Sequence, residues 1–208
     1  VSASDAAAYR ACLAALRRRG LLLASAADLP NVAEICAGEP VAGSWWGHPA
    51  GKRIFATMTR LLADDDVASM KLVSGKVTYV HRGLWADLHC VALSGDKWQM
   101  EFLPAREARL LERVDAEGVV RLDDAEVAAA ETDGRELEAR LLVVGGSEHS
   151  ASGNHERVLA SWPTWARGRD VAPAADAPAA YARLDAAAKS LGPRARLPWW
   201  PRPPRKRR

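Results

Sequence analysis

Between Lys52 and Arg82 the hydrophobic period of the chain changes once, and this stretch constrains the fold more than any other. In Lys52–Ala63 the apolar residues Ile54, Met58, Leu61 and Leu62 recur at i, i+4, i+7 and i+8, the spacing of one helical face. Asp64-Asp65-Asp66 follows; three acids oppose the dipole at a helix C-terminus and so belong to the connection. Beyond them the period becomes two. Met70 and Leu72 alternate with Lys71, and Val77, Tyr79 and His81 alternate with Thr78 and Val80, about a Ser74-Gly75 step. The spacing predicts a helix over 52–63 and a hairpin with arms Ala68–Val73 and Lys76–Arg82.

The same reading extends along the chain. Ser4–Arg19 is a helix with Ala8, Cys12, Ala15 and Leu16 on one face and Gly20 as its stop. Leu21–Leu23 is a short buried strand or part of that face, and Val32–Cys36 a helical turn. Gly38 to Gly51 reads as a loop, in which Trp45 or Trp46 staples onto Phe55 or Met58. Leu84–Ala92 is a helix, Lys97–Leu103 extended, Ala105–Ala116 a helix after Pro104 and Val119–Leu122 a strand. Ala125–Glu131 and Arg135–Arg140 are short helices, Leu142–Val144 turns extended, and Ser147–Asn154 is a polar loop. His155–Trp165 is an amphipathic helix interrupted at Pro163. Val171–Ala180 is a Pro/Ala linker, Tyr181–Leu191 a last helix, and Pro193–Arg208 a basic Pro/Trp-rich tail expected to be disordered alone.

Helix followed by hairpin in 52–82, and helix, strand, helices and extended arm in 105–144, match winged-helix units, in which small helices pack on a β-hairpin. The fold class expected is α+β: tandem winged-helix-like units with a C-terminal helix and a disordered basic tail. The divisions are 1–103, 104–170, 171–192 and 193–208. The runs WWGHPAGKRIFATMTRLL and MKLVSGKVTYVHRGLW resemble the winged-helix modules of the AlkZ-like bacterial DNA glycosylase family. That family's catalytic Gln-x-Gln motif has no counterpart, since Gln99 is the only glutamine. The resemblance therefore implies a DNA-binding architecture without glycosylase activity.

Charge is unevenly distributed. Seven of the 29 cations lie beyond Pro193, with no acid among them, so residues 1–192 carry 22 cations against 26 acids. An acidic body meets DNA only where its cations cluster. The candidate phosphate contacts are Lys52 and Arg53 at a helix start, Lys71, Lys76 and Arg82 on the hairpin, and Arg202, Arg205, Lys206, Arg207 and Arg208 in the tail. The plainer reading of the hairpin lysines is a solvated edge protected from aggregation. Arg135 and Arg140 are mixed with Glu136 and Glu138, as on a salt-bridged surface. In the tail, cations beside Trp199 and Trp200 suit phosphate contact with base stacking, or an anionic membrane surface.

Catalytic signals are sparse. His149 and His155 flank SASGN beside Glu148 and Glu156, a loop able to transfer protons or hold a metal, although the spacing is not that of a zinc site. Surface histidines are its plainer reading. His89-Cys90 are helical neighbours that do not face each other. Neither Gly51-Lys52 nor Gly145-Gly146-Ser147 fits a phosphate-loop motif. Cys12, Cys36 and Cys90 lie far apart in sequence and read as reduced thiols, which with the lack of an export or membrane-spanning pattern points to the cytoplasm. No cofactor or metal is assigned. The function expected is a non-enzymatic DNA-binding protein, regulatory or accessory. The alternatives are a nucleic-acid-processing or hydrolytic enzyme using the His149/His155 loop, and a protein-interaction scaffold anchored by tryptophans.

Overall fold

The computed structural model describes residues 3–122, 124–149 and 155–201. Helix α1 (Ala3–Arg19) stops at Gly20, whose φ of +77° strains any side chain. There is also no room for one: a Cβ would lie 2.6 Å from Leu84 Cδ1. Strand β1 (Leu21–Leu23) is buried throughout. Asn31 then caps α2 (Val32–Ala37), its Oδ1 accepting from the Glu34 N–H at 2.9 Å while Nδ2 donates to the carbonyls of Ala26 and Leu29. A 3-10 turn at Trp45–Gly47 leads into α3 (Gly51–Leu62). Strands β2 (Val67–Lys71) and β3 (Val77–His81) complete an antiparallel sheet of order β1-β3-β2.

The hairpin turn is wider than the two residues expected. Lys71 pairs with Val77, leaving 72–76 in the turn. Leu72 and Val73 leave the ladder because they are drawn into the core, and Thr78 Oγ1 accepts from the Val73 N–H at 3.1 Å.

A 3-10 turn at Arg82–Leu84 continues into α4 (Trp85–Ala92). The next segment is a short helix, α5 (Lys97–Met100), and not extended. Gln99 sets it: its Oε1 accepts from the Asp96 N–H at 3.1 Å, and its Nε2 donates to the Ala92 carbonyl at 3.0 Å.

A second run of elements follows: α6 (Ala105–Glu117), β4 (Val119–Leu122), α7 (Asp124–Ala139), β5 (Val144–His149) and β6 (His155–Ala160). The strand order, β4-β6-β5, repeats that of the first sheet. The two short helices expected within 125–140 are one, and β5 runs through His149 where a polar loop was expected. The helix expected over His155–Trp165 is instead β6 followed by α8 (Trp162–Arg167). As the central strand, β6 buries both Val158 and Leu159, so its adjacent apolar residues imitate a helical stripe. Ser161 caps α8, and Pro163 sits in its first turn, where no N–H is needed. Helix α9 (Ala177–Leu191) closes the fold against α4, with Arg183 donating twice to the buried carboxylate of Asp87.

Among the described residues the core has three parts. Cys12, Leu16, Leu22, Ile54, Leu61 and Tyr79 join α1, α2 and α3 to one face of the first sheet. Val114, Val120, Leu122, Leu137 and Leu159 fill the second run. Between them lies the largest part, to which Leu21, Val80, Trp85, Leu88, Leu141, Val144, Trp162, Trp165 and Leu184 all contribute. Each fully buried leucine stabilises the fold by about 2 kcal/mol, so this shared cluster ties the two runs together. Lys71 adds an ion pair to Glu138 of α7 at 3.6 Å.

The tail is ordered further than expected. Ala195 and Leu197 are buried, and Trp199 and Trp200 both donate to Asp185 Oδ1, at 2.9 and 2.6 Å. These apolar and indole groups give residues 193–201 a packed face. Residues 202–208, with Arg202, Arg205, Lys206, Arg207 and Arg208, lie outside the described residues.

Candidate nucleic-acid interface

Helix α3 and the β2–β3 hairpin with the turn after it carry five of the ten candidate cations, and their surroundings divide them. Arg53 Nη1 donates to the Cys36 carbonyl at the end of α2, at 3.1 Å, and its Nε lies 4.0 Å from Asp5. Lys71 is paired with Glu138. Arg82 donates to Asp66 Oδ1 at 3.0 Å, and Asp66 also meets Arg17 at 3.8 Å. The acids after α3 thus clasp other elements: Asp64 accepts the Tyr9 hydroxyl, which holds its carboxyl below the usual carboxylate range. Arg60 stacks over the Tyr9 ring at 4.0 Å. Among the described residues Lys52 and Lys76 are exposed and make no ion pair, so they are the cations of this face available to a phosphate.

The helix presents an unexpected face. Ile54, Thr57, Met58 and Leu61 point inward, at i, i+3, i+4 and i+7. Thr57 takes the place expected for Leu62, which is 56% exposed. Phe55 is 52% exposed, Trp46 67%, and Val77 on β3 42%. Together they form an open groove of about 510 Å³ between α3 and β3, with Met58 and Tyr79 at its base and Lys76 on its rim. Trp45 stacks on Trp46 with ring centroids 4.1 Å apart, and Trp46 meets Phe55 at 5.6 Å. The expected staple is therefore present, but it is solvent-facing on one side. Phe55 and Leu62 stand seven residues apart, so a second apolar stripe was visible in the sequence beside the first. His48 serves the approach to α3: its Nδ1 accepts from the Ala50 N–H at 3.1 Å, and its Nε2 lies 3.4 Å from Glu39.

The ordered tail adjoins the hairpin. The Ser74 N–H donates to the Arg196 carbonyl at 2.7 Å, and Pro201 lines a groove with Lys71, Ser74 and Gly75. Arg194 is paired with Asp28, and Arg196 donates to the carbonyls of Pro193 and Ala195. The basic run thus continues from a point beside the hairpin turn.

The candidate catalytic residues are brought into register. His149 pairs with His155 and Glu148 with Glu156 across the end of the β5–β6 hairpin; their side chains, with residues 150–154, lie outside the described residues. Among the described residues no group of three or more His, Cys, Asp or Glu is placed to hold a metal ion. None of the described helices is long and apolar enough to cross a membrane. The structure also joins two cysteines that are distant in sequence. Cys12 and Cys36 are buried in the same cluster with α3, and their interaction lowers the pKa of the Cys36 thiol while raising that of Cys12.

No known protein family, curated protein or solved structure matches the chain.

Proposed function

We propose that this chain is a non-enzymatic DNA-binding protein, accessory or regulatory, built of two winged-helix-like units. Its phosphate contacts are Lys52, Lys76 and the basic run Arg202, Arg205, Lys206, Arg207 and Arg208. The observation that carries this reading is the order helix, strand, helix, helix, strand, strand in residues 3–81, with sheet order β1-β3-β2. That is the order of a winged helix, in which the third helix and the hairpin meet the duplex together. Residues 105–160 repeat it with a single helix before the hairpin and the same strand order. The attachment of 193–201 beside the hairpin turn supports the reading independently, because it starts the basic run on the same side. Arg53, Lys71 and Arg82 are held by internal partners and serve the fold.

The test is a salt titration of binding to a random duplex, with the full chain and with one ending at Pro201. Ending there keeps the packed segment 193–201. Each phosphate neutralised contributes about 0.9 to the slope of log affinity against log salt. Loss of the five cations beyond Pro201 is expected to lower that slope by up to about 4.5. Absence of binding by the full chain at low salt, to the duplex and to single-stranded DNA alike, overturns the reading.

A further inference from the structure

We propose that the groove between α3 and β3 binds unpaired nucleobases, so that the preferred ligand is single-stranded or locally opened DNA. This rests on the DNA-binding reading above and names the state of the DNA it takes.

The exposed face of α3 is poorly made for reading an intact duplex. Its outward side chains are Lys52, Phe55, Ala56, Thr59, Arg60 and Leu62. Arg60 is held on Tyr9, and Phe55 and Leu62 offer no hydrogen bonds to base edges. Pressed into a major groove, these apolar groups would desolvate base edges without replacing their hydrogen bonds. The flat face of an unpaired base has no such requirement and stacks on aromatic rings irrespective of its identity.

The rings are already arranged for stacking. Trp45 and Trp46 are 4.1 Å apart and inclined by 24°, and Phe55 continues the shelf at 5.6 Å. The exposed parts of Trp46 and Phe55 open onto a groove with Met58 and Tyr79 at its base and the exposed Leu62 and Val77 along it. Lys76 is the charged residue on its wall, and Lys52 stands three residues before Phe55 on the same side of α3. Cations therefore flank the shelf, as a strand needs when its bases stack inward and its phosphates run along the rim. The groove also lies between the two elements that the winged-helix reading turns toward nucleic acid.

Fluorescence anisotropy with the full chain tests this, using labelled oligo(dT) of about 12 nucleotides, a length spanning one binding module, and a duplex of equal length. The single strand is expected to bind more tightly. Trp46→Ala and Phe55→Ala are each expected to weaken oligo(dT) binding by about tenfold, with duplex affinity nearly unchanged and Trp46→Phe restoring most of the loss. Both side chains are more than half exposed, and an unchanged circular-dichroism spectrum verifies the fold. A single strand bound no more tightly than the duplex, or both alanine variants binding oligo(dT) normally, overturns the inference while leaving duplex binding intact. Loss of self-association in the variants, with normal oligo(dT) binding, identifies a protein contact and also overturns it. If neither nucleic acid binds the wild-type chain at low salt, the DNA-binding reading fails first.

Discussion

At the scale of single residues, His89 and Asp185 show how much this fold asks of individual polar groups. His89 is 5% exposed on α4, its ring stacked 6.4 Å from that of Trp162, and neither ring nitrogen completes a hydrogen bond of good geometry. Burial lowers its pKa below the ordinary value, with the Val171 backbone opposing. The unfolded chain therefore takes up the proton first as pH falls. Stability is fully present above about pH 6.5 and declines below it, by at most about 1.4 kcal/mol per pH unit, until the folded histidine also titrates. Urea midpoints measured from pH 7 to 5.5 are expected to fall for the wild type, and to fall less for His89→Phe; equal slopes refute this. Asp64, whose carboxyl is lowered by Tyr9, loses its contribution only as pH falls through still more acidic values. Asp185 is the acceptor for both tail indoles, at 2.9 and 2.6 Å. Asp185→Ala removes both bonds and is expected to cost about 2 kcal/mol. Trypsin should then cut at Arg194 and Arg196 in the released segment, and unchanged protection of these sites would refute the clasp. Nothing local in the sequence pairs Trp199 or Trp200 with Asp185, so the tail's cations and prolines dominated its appearance.

Among elements, legibility followed how locally each was determined. The periods of α1, α3, α6 and α9 lie within their own residues, and these helices were visible within a few residues of their ends. The rotation of α3 was not, because burial of Thr57 in place of Leu62 depends on the Cys12–Cys36 region beneath it. The stripe Phe55/Leu62 is legible in the sequence, but that it stays exposed beside Lys52 depends on this packing. Strand β6 was hidden because a central strand buries consecutive residues, which periodicity alone does not distinguish from a helix. Gly145 depends on the packing of the preceding element, α7. A Cβ there would fall 1.6 Å from Glu138 Oε1, so no side chain fits unless Glu138 moves. Glu138 is held by Arg157 and by Lys71 at 3.6 Å. Gly145→Ala is expected to destabilise the protein by roughly 1–3 kcal/mol through this overpacking. Because the clash is with one side chain, Glu138→Ala should absorb most of the effect, making the double variant little worse than Glu138→Ala alone. Simple additivity in denaturant unfolding would show that the strain lies elsewhere.

For the whole molecule, the repeated strand order suggests two units, while the core joins them. The inner face of α4 carries Trp85 and Leu88. Part of its cover comes from beyond residue 103: α4 packs on α9 and α8, and Trp85 meets Trp165 edge to face at 5.7 Å. Polar links cross the same boundary. Gln99 donates to the Ala92 carbonyl on one side and to the Arg140 carbonyl on the other, and Arg140 donates to the carbonyls of Gln99 and Glu101. The boundary at 103 is therefore crossed by core and polar contacts. A fragment ending at Leu103 would keep the cluster beneath α1, α2 and α3 but expose Trp85 and Leu88 to water. Two exposed core side chains of this size forfeit about 3–6 kcal/mol of burial, much of what a small domain has available. The full chain is expected to unfold in one urea transition by both tryptophan fluorescence and circular dichroism. The fragment should retain helical signal while losing fixed aromatic packing, seen as loss of near-ultraviolet dichroism and gain of dye binding. A fragment with native near-ultraviolet dichroism and its own cooperative transition would establish the first unit as independent, and would reduce the shared cluster to a docking surface between two domains.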